Sequence, residues 1–158
     1  MNALKTLLWS VFVPGTLTTV FPFLILKNSE GYFFELSVFR FIGIIPILFG
    51  VALYFWCAWS FTFVGKGTPA PFDAPKIFVA TDAYRFTRNP MYVACLSVLI
   101  GEAIFFESAA LLIYALVLFL IFHLWILIYE EPTLRGKFGA SYEEYCREVS
   151  RWLPFKKK

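Results

Sequence analysis

Charged residues are scarce in this chain of 158 residues, where Asp, Glu, Lys and Arg make up only 16%. Soluble domains carry about 25% charged residues, because a domain of this size must keep a polar exterior. Apolar residues reach 59%, and the mean hydropathy is +0.70. The deficit of charge excludes a soluble domain, a disordered chain and a main role in nucleic-acid binding. It predicts one integral-membrane domain over residues 1–158, with the lipid bilayer as a partner.

Cysteine and histidine are also rare, with three Cys and one His. Three cysteines, odd in number and far apart, do not form a disulfide framework or a zinc cluster, so we expect no metal site. The sequence also lacks a strand followed by Gly-x-Gly and a helix, which is the dinucleotide-binding pattern. We therefore expect no Rossmann domain.

Long apolar runs occupy much of the chain. Three of them are uncharged and cover residues 6–26, 41–64 and 109–129, and a shorter one, 91–106, contains Glu102. A hydrocarbon core of about 30 Å is crossed by about 20 helical residues at about 1.5 Å each. We expect an all-α membrane protein with four transmembrane helices, of which the third is short. A C-terminal amphipathic helix should follow and anchor at the membrane interface, because Tyr142, Tyr145 and Val149 recur at helical spacing.

Basic residues are distributed unevenly between the two sides of this predicted bundle. Of the 14 Lys and Arg residues, only Lys27 and Arg40 lie in the loop between the first and second spans. The others lie near the termini or in the loop between the second and third spans. Basic residues favour the cytoplasmic side. We therefore expect that loop and both termini to be cytoplasmic, in a bacterial inner membrane or an endomembrane.

Polar residues gather in two segments on this cytoplasmic side. Arg88-Asn89-Pro90-Met91-Tyr92 opens the third span, with Asn89 suited to be the N-cap. Glu130-Glu131 follows the fourth span at the expected C-terminus of its helix. One interpretation of this pair is a solvated helix end, with Pro132 as the stop signal. Adjacent carboxylates at a helix C-terminus are unfavourable unless a cation or a ligand compensates them. Because both segments flank one helical hairpin, we expect them to meet and form a site for a polar ligand.

These motifs resemble those of the integral-membrane methyltransferases that include isoprenylcysteine carboxyl methyltransferase and phospholipid N-methyltransferase. The resemblance covers residues 65–155 and implies S-adenosylmethionine (SAM) as cofactor and methyl donor, bound at the cytoplasmic end of the bundle. It implies methyl transfer to a lipophilic acceptor, such as a phospholipid amine, an isoprenylcysteine or another small lipophile. The matching pieces are Arg88-Asn89-Pro90-Met91-Tyr92, Glu130-Glu131, residues 138–145 and Arg151-Trp152-Leu153-Pro154.

The same resemblance implies roles for individual residues. Glu130 would hold the polar groups of the cofactor, and the segment 89–92 would wrap it largely through its backbone. The expected cofactor-binding residues are Lys76, Ile77, Phe78, Val79, Tyr84, Asn89, Pro90, Met91, Tyr92 and Glu130. No nucleophile is implied, and the positioning candidates for catalysis are Arg88, Glu131 and, on the acceptor side, His123.

Two departures from the family pattern bear on structure and substrate. Relatives usually have Gly before the loop tyrosine, whereas this chain has Thr81-Asp82-Ala83-Tyr84, so the turn must form differently. Isoprenylcysteine enzymes place an Arg one turn before the Glu pair, where this chain has Ile126. Without that cation, an amine or an uncharged acceptor is favoured over a carboxylate.

Two other functions stay open on the sequence. Membrane sterol reductases have a related hairpin but use NADPH, so saturable NADPH binding would favour that class. A non-catalytic four-helix scaffold would bind no adenosyl ligand.

Overall fold

The computed structural model describes residues 12–29, 33–63 and 82–153 of the chain. The regular structure of these residues is helical, and their one extended pairing is an isolated bridge between Phe33 and Ser108. This confirms an all-α protein over the described residues. The start of the first expected span and residues 64–81 of the expected cytoplasmic loop lie outside them.

The helices follow one another with short connections. A π-helical turn, Thr16–Val20, leads into α1 (Phe21–Asn28), and a 3-10 helix, Ser37–Gly43, leads into α2 (Ile44–Phe63). A second 3-10 helix, Asp82–Arg85, precedes α3 (Pro90–Phe105). The described chain ends with α4 (Ala109–Trp125), the π turn Ile126–Glu130, α5 (Glu131–Phe138) and α6 (Ala140–Glu148).

Two helical runs in the described residues are long and apolar enough to cross a membrane, Ser37–Ser60 and Ala109–Phe138. Many of their large apolar side chains are exposed, including Ile45, Phe55, Ile113 and Leu120. A core helix of a soluble protein would bury such side chains, so these faces suit contact with lipid. The shorter apolar helix, α3, is the third expected span.

α3 is the central helix of the described bundle, with α2 and α4 packed against it. On the α4 side, Leu99 forms a buried cluster with Ala115 and Leu118. On the α2 side the backbones touch: a Cβ on Gly101 would lie 2.5 Å from the carbonyl oxygen of Gly43. Small residues allow this close approach between membrane helices, where packing rather than the hydrophobic effect drives association. The short third helix is therefore buried between its neighbours.

The end of the bundle distant from the Glu pair is closed by Glu107. Its Oε1 atom accepts the backbone N–H groups of Leu36 and Ser37 at 2.7 and 3.0 Å. Arg40 lies 3.7 Å from its Oε2 atom. These bonds satisfy N–H groups at the start of the helix that leads into α2, so Glu107 has a structural role.

Each π turn ends two residues before a proline. The N–H of Phe21 reaches the carbonyl of Thr16, and the N–H of Glu131 reaches the carbonyl of Ile126. Pro22 and Pro132 follow directly, and a proline ring in a regular helix clashes with the carbonyl four residues earlier. The wider turn relieves this clash. The interpretation of the Glu pair as a solvated helix end stopped by Pro132 is therefore wrong: the helical run continues to Phe138, and Glu130-Glu131 lies inside it.

The C-terminal amphipathic helix is present as α6, but its apolar face packs against protein. Tyr142, Tyr145 and Val149 are buried and contact Leu134 and Phe138 of α5. The face that the sequence suggested would bind the membrane therefore holds α6 onto the end of the bundle.

The contact between α2 and α3 gives a matched test of packing. Gly101→Ala should lower the free energy of unfolding by about 1–3 kcal/mol, because the new methyl group would overlap backbone that cannot move away. Gly136→Ala in α5 is the control, since a Cβ there meets nothing within 4 Å. A thermal melt in detergent should show a lower Tm for the first variant only. Equal melting temperatures would contradict the close approach.

Candidate functional site

The segment after α6 closes the site and is called the C-terminal strap (residues 149–153). The backbone N–H of Arg88 donates to the carbonyl of Ser150 at 3.0 Å. The carbonyl of Arg151 accepts from Thr87 Oγ1 at 2.9 Å and from Asn89 Nδ2 at 3.1 Å. The strap is therefore fixed to the residues that open α3.

Glu131 joins the strap to the start of α5. Arg151 donates from Nε and Nη2 to the two carboxylate oxygens of Glu131 at 2.7 and 3.1 Å. Arg88 Nη1 lies 3.1 Å from Glu131 Oε1, with the Arg88 and Glu131 side chains only 8% and 7% exposed, and Arg135 lies 3.9 Å away. The hydrogen bonds to Glu131 raise the pKa of Arg151. We call these four residues the arginine cluster.

The arginine cluster contains two of the predicted positioning candidates, Arg88 and Glu131. Arg88 Nη1 also lies 2.7 Å from Cys146 Sγ, which ties the guanidinium to α6 as well. A carboxylate bound by three guanidinium groups has little capacity left for a ligand. Arg88 and Glu131 therefore stabilise the segments that form the site.

Glu130, next in sequence, is in a different environment. Its Oε2 atom accepts the hydroxyl of Tyr92 at 2.9 Å, which is a contact between the start of α3 and the π turn that ends at Glu130. The ring of Phe122 packs on Tyr92 at 4.7 Å between centroids. No hydrogen bond to Glu130 Oε1 occurs among the described residues. The predicted meeting of Tyr92 and Glu130 is thus present, with one carboxylate oxygen left to bind a donor.

Tyr84 completes this group from the loop side. Burial, with smaller contributions from Cys57 and Glu130, raises the pKa of Tyr84 well above its ordinary value, so the phenol stays protonated. Its carbonyl accepts the hydroxyl of Tyr145 at 2.7 Å, and this bond anchors the loop on α6. Burial likewise raises the pKa of Tyr145. Three expected cofactor-binding residues, Tyr84, Tyr92 and Glu130, are therefore neighbours.

The turn before Tyr84 forms without glycine. Asp82 adopts φ +55°, the left-handed region that Asp tolerates better than most residues. Its Oδ2 atom accepts the hydroxyl of Ser60, a fully buried residue of α2, at 2.9 Å. The residue with positive φ in this turn therefore makes a side-chain bond that a glycine could not make.

The other expected cofactor-binding residues differ in which of their groups are available to a cofactor. Asn89 is the N-cap of α3, as expected, but its amide is bound to the strap instead of capping the helix. Pro90 is fully buried and Met91 is partly buried. Asn89 and Pro90 could therefore contact a cofactor mainly through backbone. Lys76, Ile77, Phe78 and Val79 lie outside the described residues.

His123 lies near the C-terminal end of α4 and contacts the strap. Trp152 Nε1 donates to His123 Nδ1 at 3.1 Å, and the ring of Phe119 packs on Trp152 at 4.9 Å. Neither Arg151 nor Trp152 was predicted as a site residue. Their signal was the Arg151-Trp152-Leu153-Pro154 motif, whose side chains could not be assigned partners without the fold.

Comparison with known proteins gives one family. The family model described as phospholipid methyltransferase matches residues 38–141. The match includes both the 88–92 segment and the Glu pair, and it ends before the strap. No curated protein matches the chain.

Replacing Glu131 should test the arginine cluster. Glu131→Gln should destabilise the protein by about 3–5 kcal/mol, because it leaves Arg88 buried without a counter-charge. Glu144→Gln is the control, since Glu144 is an exposed carboxylate on α6. Denaturation followed by circular dichroism would measure both. A Glu131→Gln variant as stable as the control would show that the cluster does not hold the strap.

Proposed function

The chain belongs to the phospholipid methyltransferase family, and we propose that it transfers a methyl group from SAM to a lipophilic acceptor at the cytoplasmic face of the membrane. The observation that carries the proposal is the difference between two adjacent carboxylates. Glu131 is bound by three arginines, whereas Glu130 accepts one hydrogen bond from the residues that the structure describes, that of Tyr92. Glu130 is thus the carboxylate that can receive a ligand.

The residues around Glu130 fit the polar groups of SAM. The ribose hydroxyls and the ammonium group of the cofactor are hydrogen-bond donors, and a carboxylate oxygen is a strong acceptor for them. At the start of α3, the N–H groups of Met91 and Tyr92 have no partner within the helix. These N–H groups suit the cofactor carboxylate, because helix N-termini attract anions. Tyr84 would close the site on the loop side.

When bound, SAM would supply a methyl group on a positively charged sulfur, which needs little acid–base catalysis for in-line displacement. The protein would contribute position and exclusion of water. Glu130, held by Tyr92, would orient the donor. Arg88 and Glu131 would act as positioning residues, because they hold the strap and the start of α3 in place. This assignment fits a site without a nucleophile.

The acceptor should be an amine or an uncharged group. Ile126, the position where isoprenylcysteine enzymes have Arg, is 1% exposed and packs in the interior. Arg88 and Arg151 are bound to Glu131 and would not pair with a substrate carboxylate without breaking the arginine cluster. A phospholipid amine fits these constraints better than a prenylated cysteine.

Four spans are part of the proposal, with both termini and the site at the cytoplasmic face. The positions of Lys27 and Arg40 at the opposite end support this orientation. In a Cys146→Ser background, a membrane-impermeant maleimide added to intact cells should label Asn28→Cys and should not label Lys157→Cys. The reverse pattern would contradict the orientation.

Ligand-dependent stability tests the cofactor. S-adenosylhomocysteine at about one hundred times its Kd should add about 2.7 kcal/mol to the apparent stability, whereas NADPH should add nothing. Glu130→Gln should weaken the binding roughly tenfold to a hundredfold, since it removes a charged acceptor. Its fold should persist because Gln still accepts from Tyr92.

The matched control is Glu143→Gln, which changes an exposed carboxylate of α6. Stabilisation by NADPH alone would move the protein to the reductase class, and stabilisation by neither ligand would favour the scaffold. A Glu130→Gln variant with full affinity would remove Glu130 from the cofactor site.

A further inference from the structure

Three aromatic residues form a cluster where α4 meets the strap. Phe119 and His123 stack at 5.9 Å between centroids, and Trp152 packs on Phe119 at 4.9 Å. All three are partly exposed. None of the three takes part in an ion pair or a cation–π contact among the described residues, and Arg151, which precedes Trp152, is bound to Glu131. The surface is therefore aromatic, uncharged and open on one side.

The hydrogen bond from Trp152 fixes the hydrogen of the imidazole. An indole N–H can only donate, so His123 Nδ1 must be the acceptor and must carry no hydrogen. In the neutral ring the hydrogen is then on Nε2. No hydrogen bond to Nε2 occurs among the described residues. His123 thus presents an uncharged N–H donor beside two aromatic rings.

The depth of this donor can be estimated from the helix. His123 precedes Glu130 by seven residues, which is about 10 Å at about 1.5 Å per residue. The polar interface on each side of a bilayer is about 5–8 Å thick. If Glu130 marks the polar end of the span, His123 lies at the inner border of the interface. In glycerophospholipids the carboxylic ester groups that join the acyl chains to glycerol lie at this depth.

We propose that the Phe119–His123–Trp152 cluster is a subsite for the acceptor lipid, in which His123 Nε2–H donates to an acyl ester carbonyl. An uncharged donor suits an uncharged carbonyl oxygen, and the aromatic rings suit the first carbons of the acyl chain. His123 is a binding residue, and Trp152 is a positioning residue that keeps the hydrogen on Nε2. The inference rests on the proposed function and adds the residues that hold the acyl ester of the acceptor lipid.

The subsite can be tested with an acceptor lipid that lacks the acyl ester carbonyl. Methylation of diacyl phosphatidylethanolamine should show a KM roughly three- to tenfold lower than that of its dialkyl ether analogue, because one hydrogen bond is lost. His123→Phe and Trp152→Phe should abolish this preference by raising only the KM for the diacyl lipid, with kcat retained. Trp56→Phe, at an exposed position of α2, should keep it.

Lipid binding without turnover separates this inference from the proposed function. Native mass spectrometry of the protein without cofactor should show more diacyl than dialkyl lipid retained, and His123→Phe should equalise the two. Methylation of neither lipid would contradict the proposed function for this acceptor, while retention would still test the subsite. Equal retention of both lipids by the unaltered protein, or an unchanged preference in His123→Phe, would overturn the subsite.

Discussion

Glu131 receives arginines from three parts of the chain, and the arrangement of this end of the bundle depends on this contact. Arg88 comes from the segment that opens α3, Arg135 from α5 and Arg151 from the strap. The side chains of Glu131 and Arg88 are almost fully buried. Removing either residue would therefore leave the charge of the other buried without a counter-charge, which is strongly destabilising. The cluster therefore fixes the start of α3 relative to the start of α5, and this is the geometry that brings Tyr92 to Glu130.

Adjacent carboxylates can perform different tasks when their surroundings differ. Glu131 is neutralised by guanidinium groups, whereas Glu130 meets the hydroxyl of a tyrosine. The tyrosine hydroxyl orients the carboxylate through one oxygen, so the other oxygen remains for a ligand. This separation of roles explains how a site can keep an acceptor oxygen at the boundary of an apolar bundle.

The sequence was sufficient for features that depend on composition and periodicity. Apolar runs predict the helices, and the hairpin places Tyr92 near Glu130. The continuation of the helix through Pro132 could not be predicted, because it depends on a π turn whose hydrogen bonds are not encoded by residue type alone. The packing of α6 against protein could not be predicted, because the sequence pattern of an apolar helix face is the same whether protein or lipid covers it. The bond from Ser60 to Asp82 joins residues too distant in sequence for any local pattern.

The π turn before Glu131 also sets the direction of every side chain that follows it. A residue added to a helical turn rotates the rest of the helix by about 100°. The extra residue in Ile126–Glu130 therefore lets one continuous helix present apolar side chains to lipid along α4 and then turn its carboxylates inward. Deleting a single residue from this turn would leave composition and hydropathy almost unchanged. It would nevertheless swing Glu131 away from its arginines, so the length of this segment is as constrained as the identity of its charges.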